Sequence, residues 1–149
     1  MNAVVIGAAK PGYAEAITRK LIKNGFKVIG TYDTEFEENA TKLSKEFSSE
    51  KLTLKSLDLS SRNDLKSFVD DIVDPIDAFV FAQFYFDMEN PDDFNHEIWD
   101  KSIAINLTAP NYLIHELKNK MNAGSSIVIL TSTEGFRGSY GASAYAATK

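Results

Sequence analysis

A tyrosine and a lysine four residues apart, Tyr145 and Lys149, close the 149-residue chain, and Ser132 precedes Tyr145 by thirteen positions. On a helix, a residue and its fourth neighbour share a face about one turn apart. An ammonium held there favours a phenolate over a phenol, which equips Tyr145 to exchange a proton with a carbonyl or alcohol oxygen. Ser132 follows the apolar run Ser126–Thr131, and a hydroxyl delivered from the end of a strand can polarise the same oxygen. Gly135, Gly138 and Gly141 mark a turn-rich passage before a helix that starts near Ser143. One Tyr-x-x-x-Lys pair arises easily by chance among six tyrosines and many lysines, so its weight comes from this company.

A second set of residues suits a nucleotide. Gly7-Ala8-Ala9-Lys10-Pro11-Gly12-Tyr13-Ala14 follows the first apolar run and opens onto a helical pattern. Small residues there let backbone approach a pyrophosphate, and the helix amino terminus attracts its charge. Gly7, Gly12 and Ala14 are therefore candidate cofactor contacts. The second apolar run ends Thr31-Tyr32-Asp33. A carboxylate at Asp33 can accept from a ribose hydroxyl and repel a 2′-phosphate, favouring NAD(H) over NADP(H); capping the next helix is the competing role. Asp58, in Leu57-Asp58-Leu59, can reach an adenine edge or serve as a cap in the same way. Asn106 adds a polar group in the middle of a long helical pattern.

Positioning these residues is the work of alternating β and α segments. Strands are expected at Ala3–Ile6, Lys27–Tyr32, Leu52–Leu57, Ala78–Ala82 and Ser126–Thr131. Helices are expected at Tyr13–Asn24, Glu35–Ser48, Ser61–Ile72 and His96–Met121, with a kink at Pro110. Gly25 and Asn122-Ala123-Gly124 read as helix stops, and Ser60 or Ser61 as a cap. Right-handed crossovers then give an α/β doubly wound parallel sheet of order 3-2-1-4-5, with its ligand at the carboxyl ends of the strands. Residues 1–149 read as one dinucleotide-binding domain without linker, repeat or low-complexity tract.

Composition narrows the classes. The chain is 44% hydrophobic and 25% charged with no cysteine, so it can build a core without disulfides. The net charge of −5, with no basic stripe, argues against nucleic acid. The start lacks a signal-peptide pattern and no apolar run spans a membrane, so the expected address is cytoplasmic. His96 and His115 lack metal-ligand spacing, and no metal site is expected. No Gly-x-Ser-x-Gly elbow follows a strand.

Over its whole length the chain resembles the short-chain dehydrogenase/reductase family, covering about the first 60% of a usual member. The resemblance rests on the Gly7–Ala14 loop, Leu57-Asp58, Trp99 through Asn106-Leu107-Thr108, Ile127–Ser132 and Tyr145–Lys149, with the Ser-to-Tyr spacing the most specific match. It implies a Rossmann-like fold, a nicotinamide cofactor and hydride transfer to or from a small carbonyl or alcohol substrate. Tyr145 would be the acid/base, Lys149 would assist it and hold the nicotinamide ribose, Ser132 would steady the substrate oxygen, and Asn106 would sustain a proton relay. Bringing a phenol from about 10 towards 7 takes about 4 kcal/mol of preferential phenolate stabilisation. A partly desolvated ammonium beside a positive nicotinamide is of that order.

Departures from the family are also visible. The glycine loop has one residue more between Gly7 and Gly12 than usual, and Ala14 replaces the last glycine. Phe81-Ala82-Gln83-Phe84 stands where the family has Asn-Asn-Ala-Gly. The sixth and seventh strands are missing, which reads as truncation at the catalytic lysine; Lys149 should then fray beside its own carboxylate, and the last strand should present an apolar edge. A full-length form is expected to be a homo-oligomer. The alternatives are a catalytically inactive NAD(P)-binding module and a fragment that depends on a partner.

Overall fold

In a computed structural model that describes residues 1–149, five strands form one parallel sheet of order β3-β2-β1-β4-β5. They are β1 (Asn2–Ile6), β2 (Lys27–Tyr32), β3 (Leu52–Ser56), β4 (Ile76–Phe81) and β5 (Met121–Ile129). The helices are α1 (Tyr13–Lys23), α2 (Glu37–Glu46), α3 (Arg62–Asp70), α4 (His96–Ile103), α5 (Ala109–Leu117), α6 (Glu134–Arg137) and α7 (Ser143–Thr148). The expected order and fold class are those observed.

Side chains alternate across a strand, so each central strand feeds two layers. Val4 and Ile6 of β1, with Phe79 and Phe81 of β4, pack against Leu65, Phe68 and Val69 of α3 and Leu113 and Leu117 of α5. Ala3 and Val5, with Val28 and Val80, face Ala14 and Ile22 of α1 and Ala40 and Leu43 of α2. Burial on both faces explains why β1 and β4 read as continuous apolar runs rather than alternating ones. No helix is long and apolar enough to cross a membrane.

Three boundaries differ from expectation, each for a local reason. The long helix His96–Met121 is divided: a π-helical turn at Ala104–Thr108 joins α4 to α5, and a 3₁₀ turn at Lys118–Lys120 ends it. Pro110 has no N–H to donate and its ring clashes with the carbonyl four residues back, so the expected kink takes the form of a widened turn just ahead of it. The strand β5 starts at Met121, expected as the last residue of the helix, and runs through the Asn122-Ala123-Gly124 segment expected to stop it. Its register against β4 shifts between the pairs Ile76↔Met121 and Ala78↔Ser126, and Gly124 takes φ +84° within the intervening stretch. A bulge of this kind uses the same residues that would make a turn. The segment expected as one helix from Glu35 opens as a 3₁₀ turn, Thr34–Phe36, before α2. The outer edge is apolar as expected: Ile127, Val128 and Ile129 of β5 are each nearly half exposed.

Candidate active site at the carboxyl end of the sheet

Parallel strands deliver their following loops to one end, and a cleft of about 360 Å³ opens there. Its walls include Tyr13 at the start of α1, Gln83 and Phe84 after β4, Ser132 after β5, and Tyr145 and Lys149 of the last helix. Ser132, Tyr145 and Lys149 are thus brought together, as their spacing predicts.

Packing of the last helix is close. Gly135 lies against the backbone of Lys149, where an added Cβ would sit 2.3 Å from its carbonyl carbon. Thr131 Oγ1 donates to the Lys149 carbonyl at 2.6 Å. The Lys149 ammonium donates to the Leu130 carbonyl at 3.1 Å and lies 5.6 Å from the centre of the Tyr145 ring. It is half-buried and anchored, which corrects the expectation of a frayed end. Burial holds its pKa below the ordinary lysine value, and the charge of Lys10 pushes it further the same way. The Ser132 hydroxyl accepts from Glu134 N at 3.2 Å, where α6 begins.

Lys10 and its neighbours were not singled out by the motif. The Lys10 ammonium sits 3.5 Å from the centre of the Phe84 ring and donates to the Phe84 carbonyl at 3.3 Å. Burial depresses its pKa, and the charges of Glu35 and Asp33 oppose that shift. Neither Lys10 nor Lys149 forms a salt bridge. Phe84 stacks on Tyr13 at 6.4 Å and meets Tyr145 edge-on at 5.9 Å, while Phe86 meets the same tyrosine at 5.3 Å. Burial raises the pKa of Tyr13, and Tyr145 adds to the shift. Of the two phenylalanines in Phe81-Ala82-Gln83-Phe84, Phe81 ends β4 in the core and Phe84 lines the cleft beside Gln83.

Asn106 stands in the π turn, buried. Its Oδ1 accepts from Tyr85 N at 2.8 Å, and its amide donates to Tyr85 O at 2.9 Å and to Thr148 Oγ1 at 3.1 Å. Both amide hydrogens are engaged, tying the loop after β4 to the last helix next to Lys149.

The nucleotide residues divide. Gly7, at φ +84°, donates to Thr31 Oγ1 at 3.1 Å and lines a small pocket with Asp33, Leu57 and Gln83. A Cβ on Gly7 would meet Gln83 at 3.0 Å. Gly12, at φ +96°, precedes α1 with open space around it, whereas Ala14 is packed into the core. Asp33 accepts from Glu35 N and Thr34 Oγ1, both at 3.3 Å, so it caps the 3₁₀ turn while facing the pocket. Asp58 is exposed, and its Oδ1 accepts from Ser60 N at 2.8 Å and Ser60 Oγ at 2.6 Å, closing a turn, while Ser61 is the cap of α3. Gln83 Oε1 is buried without a hydrogen-bond partner, on a side chain shared by the cleft and the small pocket.

A doubly wound parallel sheet with its polar cleft at the carboxyl ends of the strands defines a Rossmann-like α/β protein. The family model for short chain dehydrogenases matches residues 1–149, and the chain belongs to that family. No curated protein matches it by sequence. Among solved structures it is similar to BdcA in complex with NADPH, at 26% identity and TM-score 0.88, over 99% of this chain and 59% of that one. A blue fluorescent protein from a metagenomic library, in complex with NADPH, is 25% identical with TM-score 0.91, over 99% and 62%. Serine dehydrogenase from Escherichia coli is 27% identical with TM-score 0.85, over 99% and 69%. The chain therefore spans about three-fifths of the length of the first two.

Proposed function

We propose that the chain carries the cofactor and acid/base half of an oxidoreductase that moves a hydride between a nicotinamide dinucleotide and a small carbonyl or alcohol substrate. The observation that carries this reading is the convergence of Ser132, Tyr145 and Lys149 on one cleft. Three features suit a dinucleotide beside them. Gly12 leaves open space at the amino end of α1, two half-buried ammonium groups lack carboxylate partners, and the Gln83 carbonyl oxygen is orphaned. A buried polar atom without a partner calls for a ligand or water to satisfy it.

The bound nicotinamide supplies or accepts the hydride. Tyr145 donates its phenolic proton to the substrate oxygen in reduction and recovers it in oxidation. Lys149 favours the phenolate and faces the ribose, and Ser132 donates to the same substrate oxygen. Asn106 sustains the relay by holding the loop after β4 against Thr148. Gly7, Gly12 and the amino end of α1, which Ala14 packs against the sheet, receive the pyrophosphate. Asp33 receives the adenosine ribose, and Asp58 shapes the adenine side through its turn. The carboxylate of Asp33 favours NAD over NADP, although BdcA and the blue fluorescent protein hold NADPH.

The test is titration with NADH and NADPH, together with turnover of carbonyl substrates by wild type and Tyr145→Phe. We expect binding in both proteins and a loss of about 10²–10⁴-fold in turnover for the variant. Absence of binding to either dinucleotide overturns the reading. Binding without turnover even in a completed chain selects the alternative of an inactive nucleotide-binding module. The reading places the protein in the cytoplasm, without nucleic-acid or membrane partners, and a longer form as a homo-oligomer.

A further inference from the structure

The helix that carries Tyr145 has no cap of its own at its amino end. α7 has six residues, and Ala142 at its cap position has no side-chain oxygen. The first N–H groups of any helix lack intrahelical partners and need them from elsewhere. Here one of them is supplied by Glu89, in the loop after β4 and more than fifty residues away. Its Oε1 accepts from Ala144 N at 2.7 Å, and its Oε2 accepts from Ser143 Oγ at 2.5 Å. Its own N–H donates to the Gly141 carbonyl at 2.9 Å. Gly141, at φ +66°, permits this contact, because a Cβ there would lie 2.6 Å from Met88 Sδ and 2.8 Å from Glu89 O.

We propose that Glu89 is a positioning residue for Tyr145: as the amino-terminal cap of α7, its carboxylate fixes the angle at which the tyrosine enters the cleft. The inference rests on the function proposed for Tyr145. Ala144 immediately precedes that tyrosine. The carboxyl end of the same helix is pinned independently, by Asn106 on Thr148 and by Thr131 on the Lys149 carbonyl. Loss of Glu89 therefore frees one end only, and it moves Tyr145 relative to a Lys149 that stays in place. A carboxylate at a helix amino terminus also matches the helix dipole.

The pair Glu89→Ala and Glu89→Gln tests this. Glutamine keeps an oxygen for Ala144 N, and Ser143 can turn its hydroxyl to accept from the new amide; alanine keeps neither bond. Misplacement of a catalytic group by about 1 Å costs up to about 10²-fold. Glu89→Ala should thus lose tenfold to about a hundredfold in kcat with dinucleotide affinity unchanged, and Glu89→Gln should recover most of it. Amide exchange at Ala144 should quicken about tenfold in Glu89→Ala, with the Tyr145 ring resonances shifted, whether or not the chain turns over. Exchange and ring resonances unchanged in Glu89→Ala overturn the proposal, as does a Glu89→Gln variant as impaired as Glu89→Ala. If Glu89→Ala does not fold, Glu89→Gln and Ser143→Ala decide: near-wild-type kcat in the first and a partial loss in the second support the cap, and the reverse order overturns it. Failure of wild type to bind a dinucleotide sinks the functional reading and leaves these exchange and resonance outcomes standing.

Discussion

At the amino end of the sheet, Asp77 accepts from Asn2 N and from Asn122 Nδ2, each at 2.7 Å, and these bonds hold its carboxyl below the usual range. Lys27 pairs with Asp74 at 3.3 Å, and the Lys120 ammonium donates to the carbonyls of Val69 and Ile72 at the end of α3. At the carboxyl end, Lys10 and Lys149 face a common ring, that of Phe84, without a carboxylate on either, and Gln83 buries an unpartnered oxygen. The same sheet thus ends in partnered polar groups on one side, while on the other two mutually repelling ammonium groups hold one carbonyl each, those of Phe84 and Leu130, and Gln83 Oε1 has no partner. Folding alone selects the first arrangement; the second costs stability and persists where a ligand supplies the missing partners.

The contrast is sharpest between two lysines. Lys149→Met should lower turnover by at least about 10²-fold, as loss of the group proposed to assist Tyr145. It should cost less stability than Lys120→Met, because the ammonium it removes is half-buried, repelled by Lys10 and bonded to one carbonyl only, that of Leu130. Lys120→Met should do the opposite: a loss of about 1–2 kcal/mol, from two carbonyls left without their donor, with turnover and dinucleotide affinity unchanged. Destabilisation by Lys149→Met as large as that by Lys120→Met would break the comparison.

How much of this was legible beforehand follows from the range of each determinant. Ser132, Tyr145 and Lys149 lie within one strand, turn and helix, so their spacing alone places them on one cleft. Strand order followed from alternation and handedness, which act between consecutive elements. What escaped was set by distant neighbours. Lys10, Tyr13 and Phe84 meet across β1 and β4, and nothing local to the glycine loop announces that a lysine there will cover an aromatic ring. Asn122-Ala123-Gly124 has turn composition, and only pairing with β4 turns it into a bulge. Asp58 was ambiguous because a cap and a ligand contact ask for the same carboxylate; it closes a turn onto Ser60, and Ser61 takes the cap.

Gln83 offers a smaller effect at the same end. Gln83→Met keeps the bulk that packs on Gly7 and removes the orphaned carbonyl oxygen. Relief of that buried group should stabilise the chain by about 1 kcal/mol, read as a raised urea midpoint at constant slope. Dinucleotide affinity should fall in the same variant. A stability loss instead would mean that the oxygen is already satisfied in solution, and one mark of the carboxyl end would disappear.

The weakest effect is a slope with pH, and it separates the two ends by pH window. Lys10 and Lys149 have folded pKa values below the unfolded 10.5, so between those depressed values and 10.5 the unfolded chain binds more protons. Stability then rises with pH through that window. Tyr13 and Tyr85 have folded values above the unfolded 10.0, so above that pH the folded chain binds more protons and stability falls. Asp77, at the amino end, acts only in acid: its depressed value gives stability present above the unfolded 3.8 and lost as pH falls through the folded value. Urea unfolding from pH 7 to 10 should therefore show a shallow rise that Lys149→Met reduces and Lys120→Met leaves in place. An equal slope in wild type and Lys149→Met would mean that the ammonium is solvated in the free protein, and the contrast would rest on Lys10 and Gln83 alone.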